Sequence, residues 1–254
     1  SKTIDPAKSG SIKDGSEAVV DASNPQNSWA AIGEKWYYSR GTINPDVTAY
    51  CTFESVLDTV INGVSCKKLV EKEYNENGLV RENHHYMYSN EDSVFFYQEE
   101  EFHLLYDFDA EKGDVITLGY YETYDGKPLE MEIDSVGNLQ VNGSARKVQY
   151  VTCGDGLSVE FNGRVVEGIG NTMYMFPIFE QNMKGPLRCY FDESGNRFVN
   201  PFNHERGWNR EDCDQIMTSS HLPVREENEI LVFPLPAKDF VMVRNAPDHT
   251  RYFI

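Results

Sequence analysis

The chain has 254 residues, of which 40% are hydrophobic and 13% aromatic, including 15 Tyr and 14 Phe. This composition excludes a disordered chain and favours β-strands, where aromatic side chains pack across a pleated surface. The 23 Lys and Arg against 41 Asp and Glu give a net charge of −18, which repels phosphate backbones and excludes nucleic acid as a partner.

The N-terminal residues 1–28 are predicted to form a flexible tether. They are rich in Ser, Lys, Asp, Gly and Pro and lack apolar periodicity, a composition typical of linkers. The chain begins at Ser1 rather than Met, as a chain cut free of its signal peptide does. No run reaches the ~18 apolar residues of a membrane helix. We therefore expect no transmembrane segment, while composition alone does not separate an exported protein from a fragment of a cytosolic one.

From Trp36 onward, runs rich in Tyr, Phe, Val and Thr alternate with turns at intervals of ~8–12 residues, which is typical of all-β domains. Asn-Gly pairs such as Asn62-Gly63 and Asn142-Gly143 favour tight hairpins, because both residue types accept a positive φ. The sequence predicts one domain over residues 29–222, an antiparallel meander forming a sandwich or an open barrel with little helix. The predicted strands are residues 36–40, 47–55, 65–74, 80–88, 93–98, 102–107, 115–121, 129–136, 145–152, 157–161 and 164–169, and the best helical candidate is 206–217.

The five cysteines show no CxxC pair and no His at zinc-ligand spacing, which disfavours a structural zinc site. Their spacing suits two local disulfides, Cys51–Cys66 and Cys189–Cys213, with Cys153 left free. Each bridge would contribute ~3 kcal/mol if its geometry is unstrained. The alternative is that the cysteines are reduced and buried.

Several motifs follow one another along the chain: DTVINGVSCKKL at 58–69, LVRE at 79–82, LLYDF at 104–108, KGDV at 112–115, EGIG at 167–170 and LRCY at 187–190, with Cys213 after them. Together they resemble a group of exported Bacteroidetes-type proteins that have no assigned biochemical role. The resemblance covers most of the chain between Trp36 and Cys213. It implies a location in the periplasm, at the cell surface or outside the cell.

Near the C-terminus, LVFPLPAKDFV at 231–241 resembles the opening strand of a type IX secretion sorting domain, usually written YPNPAxDxL. Leu235 stands where that motif has Asn. Residues 223–254 are therefore interpreted as a sorting-domain-like remnant.

Glu167 is the candidate acid or base of a hydrolase, because it lies between β-type residues and the glycines Gly168 and Gly170. The interpretation that the sequence favours is a structural carboxylate that accepts hydrogen bonds. His84 and His85 would point to opposite faces of a strand, so they do not predict a metal site. No cofactor motif is present, and none is predicted.

Trp36, Tyr38 and Tyr174 are the candidate ligand-binding residues, as a platform for a sugar if their rings are exposed. The alternative is that these rings belong to the core or form cross-strand pairs. The function predicted first is a non-enzymatic exported module that binds a glycan, a peptide or an envelope protein, or that serves only as a surface or structural module. The alternative is a hydrolase of extracellular polymers that uses Glu167.

Overall fold

The computed structural model describes residues 3–4, 29–41, 47–90, 92–123, 126–153, 159–179, 184–204, 208–218, 231–233 and 242–244. These residues form strands and turns with no helix among them, and one of the sheets is a half-barrel. The prediction of an all-β antiparallel meander is confirmed.

The larger sheet has nine strands in the order β16-β15-β2-β3-β4-β5-β6-β7, with β17 pairing to β3 beside this path. Its central part is a meander of consecutive hairpins, as the repeated turn signals predict. Its strands are β2 (Lys35–Gly41), β3 (Val47–Ile61), β4 (Val64–Asn75), β5 (Gly78–Asn90), β6 (Ser93–Gln98), β7 (Glu101–Asp107), β15 (Lys184–Phe191), β16 (Arg197–Val199) and β17 (Met217–Thr218).

The second sheet has six strands in the order β1-β8-β9-β10-β12-β13, and the remaining described strands form two separate two-stranded sheets. All pairs in this sheet are antiparallel except β1 with β8, which is parallel. Its strands are β1 (Thr3–Ile4), β8 (Val115–Glu122), β9 (Pro128–Val141), β10 (Ser144–Cys153), β12 (Gly163–Val166) and β13 (Gly170–Asn171), and the short pairs are β11 (Val159–Glu160) with β14 (Ile178–Phe179) and β18 (Leu231–Phe233) with β19 (Met242–Arg244).

The two Asn-Gly hairpins form as predicted. Asn62 and Gly63 have φ values of 50° and 79°, and Asn142 and Gly143 have 48° and 83°. Two consecutive positive φ values match the right-handed twist of the flanking strands. Strand β3 continues as far as this turn and ends at Ile61, six residues past the predicted end of the strand at residue 55. A register shift between Ser55 and Leu57 marks where the strand continues as an exposed hairpin arm.

The core lies between the two sheets and contains residues 169–178, here called the core segment. Apart from Met173, which is half-buried, its residues with described side chains are buried. Gly168 and Gly170 have φ values of 72° and 89°, as expected from their role as permissive backbone positions. A Cβ on Gly170 would lie 2.9 Å from the side chains of both Trp29 and Tyr106. This glycine is therefore needed for the close approach of the core segment to the aromatic core.

Cys189 and Cys213 form a disulfide with Cα atoms 5.8 Å apart, and this predicted bridge is confirmed. The predicted bridge between Cys51 and Cys66 is wrong, because both are free and buried. Cys51 pairs across the β3–β4 ladder with Glu73, whereas Cys66 pairs with Thr59. Eight residues of strand, roughly 26 Å, separate the two positions. Sequence proximity in a long hairpin does not bring the two thiols together.

The helix predicted over 206–217 is wrong for the described residues 208–217, which form turns and the start of β17. The Asn209 side-chain oxygen accepts hydrogen bonds from the backbone amides of Glu211 and Asp212. Arg210 has a φ of 65°, in the left-handed region. Asn side chains compete with helical hydrogen bonds in this way.

Most of the two terminal regions lies outside the described residues. In the predicted tether the structure describes Thr3 and Ile4, which pair with Val115 and Ile116 of β8. In the predicted sorting-domain-like remnant it describes β18 and β19, which pair antiparallel.

Candidate functional site

The three aromatic residues predicted to form a platform lie in the core. Trp36 and Tyr38 are fully buried and Tyr174 is 3% exposed. Trp36 Nε1 donates a hydrogen bond to the Ile169 carbonyl at 2.9 Å, and the Tyr38 hydroxyl donates to the Asn171 carbonyl at 3.1 Å. These rings hold the backbone of the core segment, so they do not offer a surface to a ligand.

A different set of aromatic rings lies on the outer face of the larger sheet, which we call the aromatic strip. In β5 and β6 the buried residues Met87, Val94 and Phe96 point towards the core. Since side chains alternate between the two faces of a strand, their neighbours point outwards. The strip consists of Tyr86, Tyr88, Phe95, Tyr97 and Phe102, all half-buried, on three adjacent strands.

The rings of the strip pack against one another across the strands. Tyr88 and Phe95 are cross-strand partners whose rings stack at 4.8 Å with an interplanar angle of 8°. Phe102 meets Tyr88 edge-on at 4.8 Å and lies 5.0 Å from Tyr97. Tyr86 meets Tyr97 edge-on at 6.5 Å. Mutual packing fixes the ring orientations without burying the rings fully.

The other half of the same outer face is covered. Beside β15 and β2, Trp208, from the loop closed by the Cys189–Cys213 disulfide, and Met217, which follows that loop, pack against the sheet as a small second core. Arg188, fully buried, donates hydrogen bonds to the Gln215 carbonyl at 2.6 Å and to the Ala49 carbonyl at 3.0 Å. One half of the outer face of the sheet is thus covered by the segment next to the disulfide, and the other half carries the strip.

On the inner face, the sheet holds a buried charge cluster around Glu71, which is 3% exposed. One carboxylate oxygen accepts hydrogen bonds from the Tyr174 hydroxyl at 2.5 Å and Lys184 Nζ at 2.8 Å. The other accepts from Asn83 Nδ2 at 2.9 Å and lies 3.0 Å from His85 Nε2. Four partners therefore saturate this carboxylate.

Lys184 connects Glu71 to a second buried carboxylate. Its Nζ lies 2.9 Å from Glu73 Oε1, and Arg40 Nε lies 3.1 Å from Glu73 Oε2. Burial acts to raise the pKa of Glu71, but hydrogen bonds from His85 and Lys184 hold this pKa well below its usual range. Burial acts to lower the pKa of Lys184, yet Glu71 and Glu73 raise it above its usual value. Both groups stay charged at neutral pH.

These ionisation states disfavour acid–base or nucleophilic chemistry in the cluster. A general acid or base needs a pKa near the working pH, and the pKa of Glu71 is moved away from it. Cys51 lies beside the cluster, 3.9 Å from the Tyr174 hydroxyl. Burial raises the pKa of the Cys51 thiol to about 12, so it is not a thiolate at neutral pH. The cluster is an ion-pair network that joins β4 to β15.

Glu167, the predicted acid or base, is half-buried and interacts with β10. Its Oε2 accepts a hydrogen bond from the Lys147 amide at 3.1 Å, and its own amide donates to the Lys147 carbonyl at 2.9 Å. Arg146 Nη1 donates to the Glu167 carbonyl at 3.3 Å. These contacts hold the carboxylate and the backbone of Glu167 against β10.

The neighbouring histidines point to opposite faces of β5. His85 faces the core beside Glu71, whereas His84 is exposed and lies 3.3 Å from Glu82. Over the described ranges no three His, Cys, Asp or Glu side chains are grouped so that they could hold a metal ion.

The chain matches no protein-family model, no curated protein and no solved structure. Within the part of the chain that the structure describes, no helix has the length and apolar character needed to cross a bilayer.

Proposed function

We propose that the chain is an exported binding module that takes up a neutral glycan on the aromatic strip. The observation that carries this proposal is the set of five half-buried, mutually packed rings on the outer face of β5, β6 and β7. Export is supported by the Cys189–Cys213 disulfide, because such bonds persist in oxidising compartments.

The size of the strip supports a glycan over a protein partner. A large aromatic side chain offers about 150–250 Å² in total, so five half-buried rings expose together only a few hundred Å². A standard protein interface needs about 800 Å² from each partner. A few sugar rings, which present flat apolar faces and hydroxyls at their edges, match an area of this size.

The chemistry of the strip supports the same class of ligand. Binding sites for small ligands combine apolar or aromatic lining with a few polar groups that fix orientation. Tyr86, Tyr88 and Tyr97 supply ring faces together with hydroxyl groups that can donate and accept hydrogen bonds. The net charge of −18 repels acidic polymers and leaves neutral ones unaffected.

Titration of the purified chain with neutral oligosaccharides, chosen by screening a glycan array, tests the proposal by calorimetry. Tyr88→Ala removes the ring that contacts both Phe95 and Phe102 and is expected to weaken binding at least tenfold. The control is Tyr50→Ala, which removes one ring of a stacked pair with Tyr74, 4.7 Å apart, on β3 and β4. Equal losses in both variants, or binding of peptides instead of glycans, would refute the proposal.

A further inference from the structure

Residues 29–34, just before β2, close over the core between the two sheets. Trp29 is 4% exposed and its ring lies 5.4 Å from Tyr106 and 6.2 Å from Trp36. Hydrogen bonds with Ser55 join the segment to the bulged part of β3. The Gly33 amide donates to the Ser55 carbonyl at 2.8 Å, and the Ser55 hydroxyl donates to the Ala30 carbonyl at 2.7 Å. The segment acts as a lid over the aromatic core.

Two buried polar atoms of this lid have no hydrogen-bond partner within the described residues. They are Trp29 Nε1 and Glu34 Oε2. A buried polar atom that has lost water without gaining a partner weakens the closed state. Segments of a native protein open locally with free energies that range from near zero up to the global value. The two unpaired atoms therefore lower the free energy that opening the lid requires.

Glu34 is the titratable group of the lid and is 5% exposed. Its Oε1 accepts a hydrogen bond from the Tyr190 hydroxyl at 2.6 Å. The charged groups that face it are Glu193, after β15, and Arg146, on β10. Burial raises the pKa of Glu34 to about 8, with Glu193 adding to the rise, and the opposing effects of Tyr190, Arg146 and the Ala31 backbone do not cancel it.

We propose that residues 29–34 form an acid-closed latch, which stays over the core while Glu34 is neutral and opens when this carboxyl loses its proton. Closing buries the carboxyl, and the proton is bound more tightly in the closed state than in water. Between the pKa values of the open and closed states, opening therefore releases about one proton to the solvent. The opened state would uncover Trp29 and the edge of the core segment at Gly170, which packs against it.

The direction and size of the pH effect follow from linkage. An exposed Glu has a pKa of 4.5 and the closed-state value is about 8. Below the lower value both states are protonated, and above the higher one both are ionised, so the opening constant is flat there. Between them it rises about tenfold per pH unit, or roughly 3000-fold in total. Acidification strengthens closure.

Hydrogen exchange of the full chain between pH 5 and 8 tests the latch, after correction for intrinsic exchange. We expect amides of residues 29–34 to exchange through a local opening, faster than amides of β10. Their opening constant should rise about tenfold per pH unit. Glu34→Gln keeps the acceptor for Tyr190 but cannot ionise, so its opening constant should not change with pH. The control Glu54→Gln, an exposed carboxylate on β3, should keep the wild-type slope.

Titration of carboxyl ¹³C signals in the wild-type chain gives a test that needs no variant. One glutamate carboxyl is expected to titrate near pH 8. The latch is overturned if every carboxyl titrates below pH 6, if Glu34→Gln keeps the tenfold slope, or if the lid amides exchange only together with β10.

Discussion

Removing the positive charge of Lys184 is expected to cause a large loss of stability. Lys184 Nζ lies within 2.9 Å of carboxylate oxygens of both Glu71 and Glu73, which are 4% and 5% exposed in their side chains. Lys184→Met leaves two buried carboxylates that have lost their shared cation. Breaking a buried ion pair by removing one partner costs about 3–5 kcal/mol. We expect a loss in this range at pH 7.

A matched control is available in Lys147, whose Nζ lies 2.8 Å from Glu111 Oε1. The lysines are exposed to a similar extent, 23% for Lys147 and 17% for Lys184, but the Glu111 side chain is 69% exposed. Exposed pairs contribute about 0–1 kcal/mol because water screens them. Lys147→Met should therefore change the free energy of unfolding by less than 1 kcal/mol.

The stability loss in Lys184→Met is expected to depend on pH. The pKa of Glu71 is lowered in the folded state, despite burial, by its hydrogen bonds with His85 and Lys184. Its stabilising contribution is therefore complete above its ordinary pKa of 4.5 and is lost as the pH falls towards the lower folded value. In Lys184→Met this contribution is missing, so the deficit should be largest at pH 7 and should shrink at pH 3.

Urea denaturation of wild type and both variants at pH 7 and pH 3 measures these differences. The reasoning is refuted if Lys184→Met lies within 1 kcal/mol of wild type at pH 7. It is also refuted if the deficit is the same at both pH values, because a packing defect does not depend on protonation.

Two further changes test the backbone and the disulfide. Gly170→Ala should lower the free energy of unfolding, measured by thermal denaturation, by about 2–4 kcal/mol, since φ is 89° and the new methyl would meet two aromatic side chains at 2.9 Å. The control Gly195→Ala, with φ of 79° and nothing within 4 Å, should lower it by only about 1 kcal/mol. Equal losses in the two variants would show that the contacts at Gly170 do not matter. Replacing both Cys189 and Cys213 with Ala should cost about 3–4 kcal/mol for a 24-residue separation. Unreduced wild type in denaturant should show three reactive thiols, and five would contradict the bridge.

The predicted hairpins succeeded because they depend on local chemistry. Asn62-Gly63 and Asn142-Gly143 dictate hairpins by their own backbone preferences, and the structure gives both pairs positive φ. The bridge between Cys51 and Cys66 failed because it needed the register of β3 against β4, which spacing does not contain. Register is fixed by which side chains face the core.

The aromatic strip could not be found from the alternation of polar and apolar residues. In β6 the residues Val94, Phe95, Phe96 and Tyr97 are all apolar or aromatic, so the sequence shows no alternation of polar and apolar residues there. Only the cross-strand partners decide which face is outward. The cluster at Glu71 gives even less signal, because its partner Lys184 lies 113 residues away. Charged residues in a strand ordinarily predict a solvated face.

The core segment lies between the two sheets, so a ligand that entered there would have to displace it. Trp36, Tyr38 and Tyr106 each hydrogen-bond to its backbone, the last through a 2.5 Å bond to the Met175 carbonyl. A ligand that displaced this segment would have to replace those bonds, since each buried group left unpaired costs about 1–3 kcal/mol. A ligand on the outer strip breaks none of them. Binding outside and opening of the latch can therefore vary independently, and calorimetry on Glu34→Gln should return the wild-type glycan affinity.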